Sequence, residues 1–245
     1  GRTLCKDCHR QTHTYGNTKL KRTDFTSGIG EQIAEILGIS IVGEVRDGGK
    51  GYLMHDDGSA EVEVLEFLHS FVRLVKPERT LETGTYRGMS AAYMGLALKK
   101  NGFGHLETFE INPELIGIAK QRWDKLQVQD WITVHHQSSL DFDPKGQYDL
   151  LFLDSEPQLR FAELVRFFPH LKPGGYVFIH DLHNHMGQGQ SLNPDHPEVK
   201  NWPWGDLPKQ IIDWVKDGEL RPIHFPTPRG FMGFYKTAPD DYRWK

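Results

Sequence analysis

The run Arg79-Thr-Leu-Glu82-Thr83-Gly84-Thr85-Tyr86-Arg87-Gly88 constrains this chain more than any other stretch. Thr80 and Leu81 read as the end of a buried strand. Two glycines four positions apart follow, and then Met89, Ala92, Tyr93, Leu96 and Ala97 recur at helical spacing. Strand, glycine turn and helix in that order open a nucleotide-binding βαβ unit. Glycine at the turn lets the backbone approach a ligand with no Cβ between them. Glu82 sits just before the turn, where a dinucleotide site would offer amides to a pyrophosphate. A carboxylate there suits a cationic or hydroxyl-rich ligand better.

Beyond this turn, apolar runs alternate with helical patterns, which is the signature of a parallel sheet. The first strand ends at Glu82 and a helix covers 90–100. A second strand spans 105–110, and Pro113 opens a helix carrying Leu115, Ile116, Ile118, Ala119 and Trp123. Proline is favoured at a first helical position. A third strand falls at 131–135. The fourth, 148–154, is apolar throughout, as a central parallel strand should be. A helix over 157–168, a turn at 171–175 and a fifth strand at 176–180 follow. A polar loop (182–205), a helix (207–216) and two strands (221–225 and 231–236) close the chain. The last two flank Pro226-Thr-Pro228-Arg229-Gly230 and read as a terminal hairpin. Upstream, Ile29, Ile33, Ile36 and Leu37 repeat at helical spacing up to Gly38. Residues 43–58, rich in glycine and aspartate, read as loop. Ser59 is placed to cap a helix running to Val75, which Pro77 stops.

Ligands of open α/β sheets sit beyond the carboxyl ends of the strands. The polar residues at those ends are therefore the candidates: Glu82 with Gly84, Glu110, Ser138 and Ser139, Asp154, and His180 with Asp181. Glu110 follows Gly84 by 26 residues and can accept both hydroxyls of a ribose. Ser138 and Ser139 read either as ligand contacts or as turn serines. Asp154 and Asp181, with His180 beside one of them, offer hard oxygen ligands suited to Mg²⁺. A histidine ligand would shift preference toward softer divalent ions. A rival role for His180 or His183 is general base toward a substrate hydroxyl, and a third is plain hydrogen bonding in a loop. The 182–205 loop also holds His185, His196, Trp202 and Trp204, and its place at the ligand end makes it a candidate lid.

Glu82-x-Gly84-Thr85-Tyr86-x-Gly88-x-Ser90 resembles the first motif of class I S-adenosylmethionine-dependent methyltransferases, the O-methyltransferase branch in particular. Phe109-Glu110-Ile111-Asn112-Pro113 resembles the second motif of the same family. The resemblance implies an α/β fold: a Rossmann-like, seven-stranded, mostly parallel sheet with helices on both faces and an antiparallel last strand. An N-terminal helical extension would precede it. It implies S-adenosylmethionine as cofactor, held by Glu82, Gly84, Thr85, Tyr86, Gly88, Ser90, Glu110, Ile111, Asn112, Ser138, Ser139 and Asp154. The activity implied is methyl transfer to a hydroxyl oxygen of a small molecule (a sugar, polyketide or phenol, as in natural product biosynthesis), with Asp154, His180 and His183 as the catalytic candidates. Asp154, His180 and Asp181 resemble the divalent-metal site of the metal-dependent members. Two departures stand against that: His180 replaces a Glu of the sugar-modifying branch, and Leu182 an Asn of the catechol branch. The domain reading is a polar tail (1–28), a helical cap (29–78) and a methyltransferase domain (79–245). Dimers are frequent in the resembled family.

Composition sets the outer bounds. The chain has 245 residues, 38% hydrophobic and 25% charged, which fits one α/β domain with a small appendage. A net charge of −4 gives no basic field to attract nucleic acid. No apolar run nears the ~18 residues of a membrane span, and no secretory signal is visible. Both cysteines, Cys5 and Cys8, lie in the tail, so no disulfide framework holds the body, and a reducing, cytoplasmic setting is expected. Cys5-Lys-Asp-Cys8-His9-Arg-Gln-Thr-His13 has metal-knuckle spacing and resembles the C-terminal half of an HNH-type zinc element. Three readings are open: a structural Zn²⁺ site formed by Cys5, Cys8, His9 and His13; a remnant whose other ligands lie elsewhere; or a disordered tail. A non-enzymatic, zinc-bearing adaptor that only binds is the competing functional class. A nicotinamide dehydrogenase would need G-x-G-x-x-G, which the turn lacks. A DNA amino-methylase would want Asp/Asn-Pro-Pro-Tyr/Phe where Asp154-Ser155-Glu156-Pro157 stands.

Overall fold

A computed structural model describes residues 28–45, 51–157, 159–181, 209–225, 227 and 229–238. Cys5, Cys8, His9 and His13 lie outside the described residues, as do His183 and the rest of the candidate lid.

The chain begins with α1 (Ile29–Leu37), then β1 (Val42–Val45) and β2 (Gly51–Met54), which pair antiparallel, and α2 (Val62–Val75). The expectation of loop over 43–58 is corrected here. Four-residue strands are too short to show a period against a glycine-rich background, yet Tyr52 and Met54 are buried and give the hairpin its packed face. The α2 helix starts later than expected, with Glu61 rather than Ser59 at its N-cap.

The sheet then builds in the expected alternation: β3 (Arg79–Thr83), α3 (Met89–Asn101), β4 (His105–Glu110), α4 (Pro113–Leu126), β5 (Ile132–His136), β6 (Tyr148–Leu153), α5 (Arg160–Phe167), β7 (Leu171–His180), α6 (Lys209–Lys216), β8 (Leu220–Phe225) and β9 (Phe231–Lys236). Strand order is β5-β4-β3-β6-β7-β9-β8. The first five are parallel, and β9 runs antiparallel to both β7 and β8. The seven-stranded, mostly parallel sheet with an antiparallel last strand is as expected. One difference lies at β7, which includes residues 171–175, expected as a turn. The pairing shifts register between Tyr148 and Leu150, so Gly174 (φ +83°) sits in an irregular strand, not outside it.

The apolar run of β6 follows from burial on both sides. Leu150 and Phe152 face a core made with α1, α2, α3 and α4, through Ile33, Leu65, Met94, Ala119 and Trp123. Leu151 and Leu153 face the other core, with Phe161, Leu164 and Phe167 of α5 and Ile211 of α6. Helices on both faces are thus dictated by a strand with no polar side to show water. The chain leaves β3 for β4 and β5 on one side and returns to β6 on the other. The β3/β6 junction is therefore a topological switch point, where open α/β sheets place their ligands. No helix among the described residues is long and apolar enough to cross a membrane.

Candidate active site

A cavity of about 680 Å³ opens at that junction. At its floor the backbone of β3 turns away at Gly84 (φ +81°). A Cβ there would stand 2.7 Å from both the Asp154 carbonyl carbon and the Ser155 Cα, so only glycine passes. Asp154 follows β6, and its N–H donates to the Thr83 carbonyl at 3.1 Å, which locks the two strand ends together. Gly88 (φ +76°) closes the turn against α4, where the Trp123 indole donates to its carbonyl at 2.9 Å.

Glu110, at the end of β4, lines the cavity and organises its rim. One carboxylate oxygen accepts the Tyr86 N–H at 2.8 Å, and the other accepts those of Ile111 and Asn112 at 2.9 Å each. Tyr86 holds a left-handed conformation (φ +47°), costly for a side chain with Cβ. Its hydroxyl donates to the Asp57 carbonyl at 2.8 Å. Asn112 caps α4 by accepting the Glu114 N–H at 2.9 Å, and Ile111 is 70% exposed beside the cavity. Ser138 caps the turn after β5. Ser139 donates to Glu163 at 2.5 Å. Glu163 is fully buried in α5 and also accepts from Thr83 at 2.8 Å and Ser155 at 2.7 Å, tying three loops beneath the site. Burial pushes its carboxyl above the ordinary range.

Of the residues expected to hold a cofactor, Gly84, Tyr86, Glu110, Ile111, Asn112, Ser138, Ser139 and Asp154 line this cavity. Glu82, Thr85, Gly88 and Ser90 are not among its lining residues. In register Glu82 pairs with Thr108 and Phe152, which places it on the sheet face covered by α3. There it is wholly buried and accepts from the Thr108 hydroxyl at 2.5 Å, and Thr85 shares that hydroxyl at 2.6 Å. Burial pushes its carboxyl up to about 8, against the help of the Ser90 and Thr108 hydroxyls. Glu82 and Glu110 thus do not jointly cradle a ligand: Glu110 faces the cavity, and Glu82 supports its floor.

The far end of the cavity holds Asp154, Asp181, Arg160 and Arg229. His180, wholly buried, aims Nδ1 at Asp154 Oδ1 (3.0 Å) and Nε2 at Glu61, the N-cap residue of α2. Burial opposes its charge, but Asp181, Asp154 and Glu61 outweigh that and raise it to about 10. Glu61 is held below its ordinary range by His180 despite its burial. Arg160 reaches Asp154 at 3.1 Å and donates to the carbonyls of Ser155 and His180. Arg229 donates to Asp181 Oδ2 at 2.6 Å and to the Ser59 carbonyl at 2.5 Å. The three cations hold Asp181 down at about 2, against its burial.

This arrangement bears on both roles expected of His180. A ring whose two nitrogens each face a carboxylate carries a proton on both, so it has no lone pair for a metal or for a substrate proton. Glu61, Arg160 and Arg229 were missed in the sequence. The only signal for them was position: a helix start, the residue after the loop of the fourth strand, and the cation of a Pro-flanked turn.

The upstream hairpin belongs to the site as well. Asp56 pairs with Arg122 of α4 at 2.7 Å, and that arginine also donates to the Arg87 carbonyl at 3.1 Å. Gly58 lines the cavity against the Tyr86 ring.

Residues 81–182 match a family profile described as a methyltransferase domain. Among solved structures, the fold is similar to the SAH-bound methyltransferase PaMTH1 of Podospora anserina. The TM-score is 0.60 at 19% identity, over 74% of this chain and 81% of that one. The O-methyltransferase of Bacillus cereus in complex with SAH aligns with a TM-score of 0.58 at 16% identity, over 74% and 84%. Over residues 81–182 the chain is thus similar to a methyltransferase domain, and its fold is similar to those of these two methyltransferase structures. The sequence relatives include proteins described as O-methyltransferases. Over 145 residues the chain is 25% identical to mouse catechol O-methyltransferase domain-containing protein 1, covering 56% of this chain and 53% of that protein. The chain spans about half the length of the curated relatives it first matches.

Proposed function

We propose that this chain binds S-adenosylmethionine in the cavity at the β3/β6 junction and transfers its methyl group to a hydroxyl oxygen of a small molecule. The observation that carries this reading is the Gly84–Glu110 pair: a Cβ-free backbone turn facing a carboxylate fixed by three backbone N–H groups. A carboxylate held that way keeps one acceptor site, on the oxygen that meets the Tyr86 N–H, free for a ribose hydroxyl. Ile111 and Ser138 border the space next to it, where a flat base would lie.

The cofactor, when bound, supplies an electrophilic methyl on sulfur. The chain supplies alignment and environment. Methyl transfer is an in-line displacement, so holding the acceptor oxygen opposite the sulfur lowers the barrier by prepaid orientation. Asp154, between the cofactor space and the far end, is placed to orient the acceptor hydroxyl. Arg160 and Arg229 keep that carboxylate and Asp181 fixed. A sugar, polyketide or phenol is the acceptor class.

Isothermal titration tests the reading. S-adenosylmethionine and S-adenosylhomocysteine are expected to release heat at one site per chain, and NAD none. A labelled methyl should then appear on a phenolic or sugar hydroxyl from a panel of acceptors. Heat from NAD with none from either sulfur nucleoside would end the proposal.

A further inference from the structure

Asp154, His180 and Asp181 each offer a ligand atom within 4.8 Å of the others, the grouping a divalent ion would want. These three residues are half of a larger assembly. Glu61 arrives from the upstream cap, Arg160 from the first turn of α5, and Arg229 from the connection between β8 and β9. Three carboxylates thus meet three cations in a cluster whose side chains are all at most 13% exposed. Each of the three groups is already engaged through at least one of its ligand atoms. Both His180 nitrogens face carboxylate oxygens, Asp154 Oδ1 also meets Arg160 at 3.1 Å, and Asp181 Oδ2 meets Arg229 at 2.6 Å and Arg160 at 3.7 Å.

The arginines are anchored from the backbone side too. Arg229 spends Nη1 on the Ser59 carbonyl, and Arg160 spends Nε and Nη2 on that of Ser155. Swinging either out to admit an ion would leave buried carbonyls without their donors. An added divalent ion would also bring two positive charges beside two guanidinium groups already paired with Asp154 and Asp181. A buried cluster is stable only while its charges are paired.

We propose that Arg160, Arg229 and His180 take the place of a divalent metal here, so that the acceptor end of the cavity binds no such ion and its carboxylates are paired with side-chain cations instead. The inference rests on the methyltransferase reading for the meaning of this end of the cavity, though its test does not. Arg160 and Arg229 both line the cavity, so their edges are what an acceptor oxygen would meet.

Mn²⁺ is the probe. The full chain, stripped with EDTA and exchanged into clean buffer, is titrated with Mn²⁺ under electron paramagnetic resonance, with and without S-adenosylhomocysteine. Any bound fraction is expected to be the same in wild type and Asp181→Asn. A micromolar Mn²⁺ site that is lost in Asp181→Asn would overturn the proposal. Crystals of the wild-type chain soaked in Mn²⁺ give a second measurement that needs no variant. No anomalous peak between Asp154 and Asp181 supports the proposal, and a peak there refutes it. Titration of S-adenosylhomocysteine in the same samples separates the two claims: absent heat removes the methyltransferase reading, whereas a Mn²⁺ site removes only this inference.

Discussion

Glu61 and His180 stand 119 positions apart in the chain and share a hydrogen bond sealed from water. The first belongs to the upstream cap and the second to the end of β7. This contact makes the cap part of the site instead of an appendage. Removing one partner of a buried pair leaves the other charge uncompensated, which costs about 3–5 kcal/mol. Glu61→Ala is expected to lose stability on that scale in denaturant unfolding, and Glu61→Gln less, because an acceptor oxygen remains for the ring. Equal stability of Glu61→Ala and wild type would disconnect the cap from the site.

Glu110 has two tasks, and substitutions separate them. Its oxygens hold the N–H groups of Tyr86, Ile111 and Asn112, and they face the cavity. Hydrogen bonds to a charged group contribute about 1.5–3 kcal/mol each. Glu110→Ala should therefore weaken S-adenosylmethionine binding by about that much, and lower the melting temperature as the rim amides lose their acceptor. Glu110→Gln should keep more of the melting temperature than of the affinity. Calorimetric affinity unchanged in both variants would take Glu110 out of the binding site.

These two residues also mark what a reading of the chain alone can reach. Glu110 was legible because it ends an apolar strand at the right distance from a glycine turn, and that is local information. The Tyr148–Leu153 run was legible because burial on both faces leaves no polar position in it. Glu61, Arg160 and Arg229 were not legible, because their roles exist only through partners 119, 20 and 48 positions away. Glu82 was misplaced for a related reason. A strand-end carboxylate lies next to the cavity in sequence, but the two-residue alternation of a strand turns its side chain to the α3 face. The β1–β2 hairpin escaped notice because strands of four residues carry too little pattern to stand out from Asp47-Gly48-Gly49.

Gly84 makes a sharper test of the cavity floor. At φ +81° any side chain is strained, and a Cβ would press on the backbone of Asp154 and Ser155, which cannot rotate away. A residue forced into such a conformation costs about 1–3 kcal/mol before the clash is counted. Gly84→Ala should unfold at correspondingly lower denaturant and bind S-adenosylmethionine at least tenfold more weakly. Gly102→Ala serves as the control, since it shares a positive φ but meets nothing within 4 Å. It should lose stability without losing affinity. Parallel loss of affinity in both would show that the contact at Gly84 is not what matters.

Glu82 sets a pH dependence whose sign can be worked out. Burial raises its carboxyl from 4.5 to about 8, so in the native state it keeps a proton that the unfolded chain has already released. Where the native state binds more protons, stability falls as pH rises. Glu82's contribution is fully present below 4.5 and is lost as pH climbs through 8. His180, raised from 6.5 to about 10, acts in the same direction at higher pH. The buried His55 and the half-buried His69, both lowered to about 4, act oppositely, gaining stability as pH rises toward and past 6.5. Between pH 6.5 and 8 the histidine gains tail off as the unfolded imidazoles lose their remaining protons, and Glu82 and His180 both pull stability down. Glu82→Gln keeps the size and an acceptor oxygen for the Thr108 hydroxyl but cannot ionise. Its unfolding free energy should fall less steeply than that of wild type across this window, with the residual slope set by the histidines. Identical slopes in chemical denaturation at pH 6.5, 7.25 and 8 would mean that Glu82 is already ionised in the folded protein, and that the floor of the cavity carries a charge.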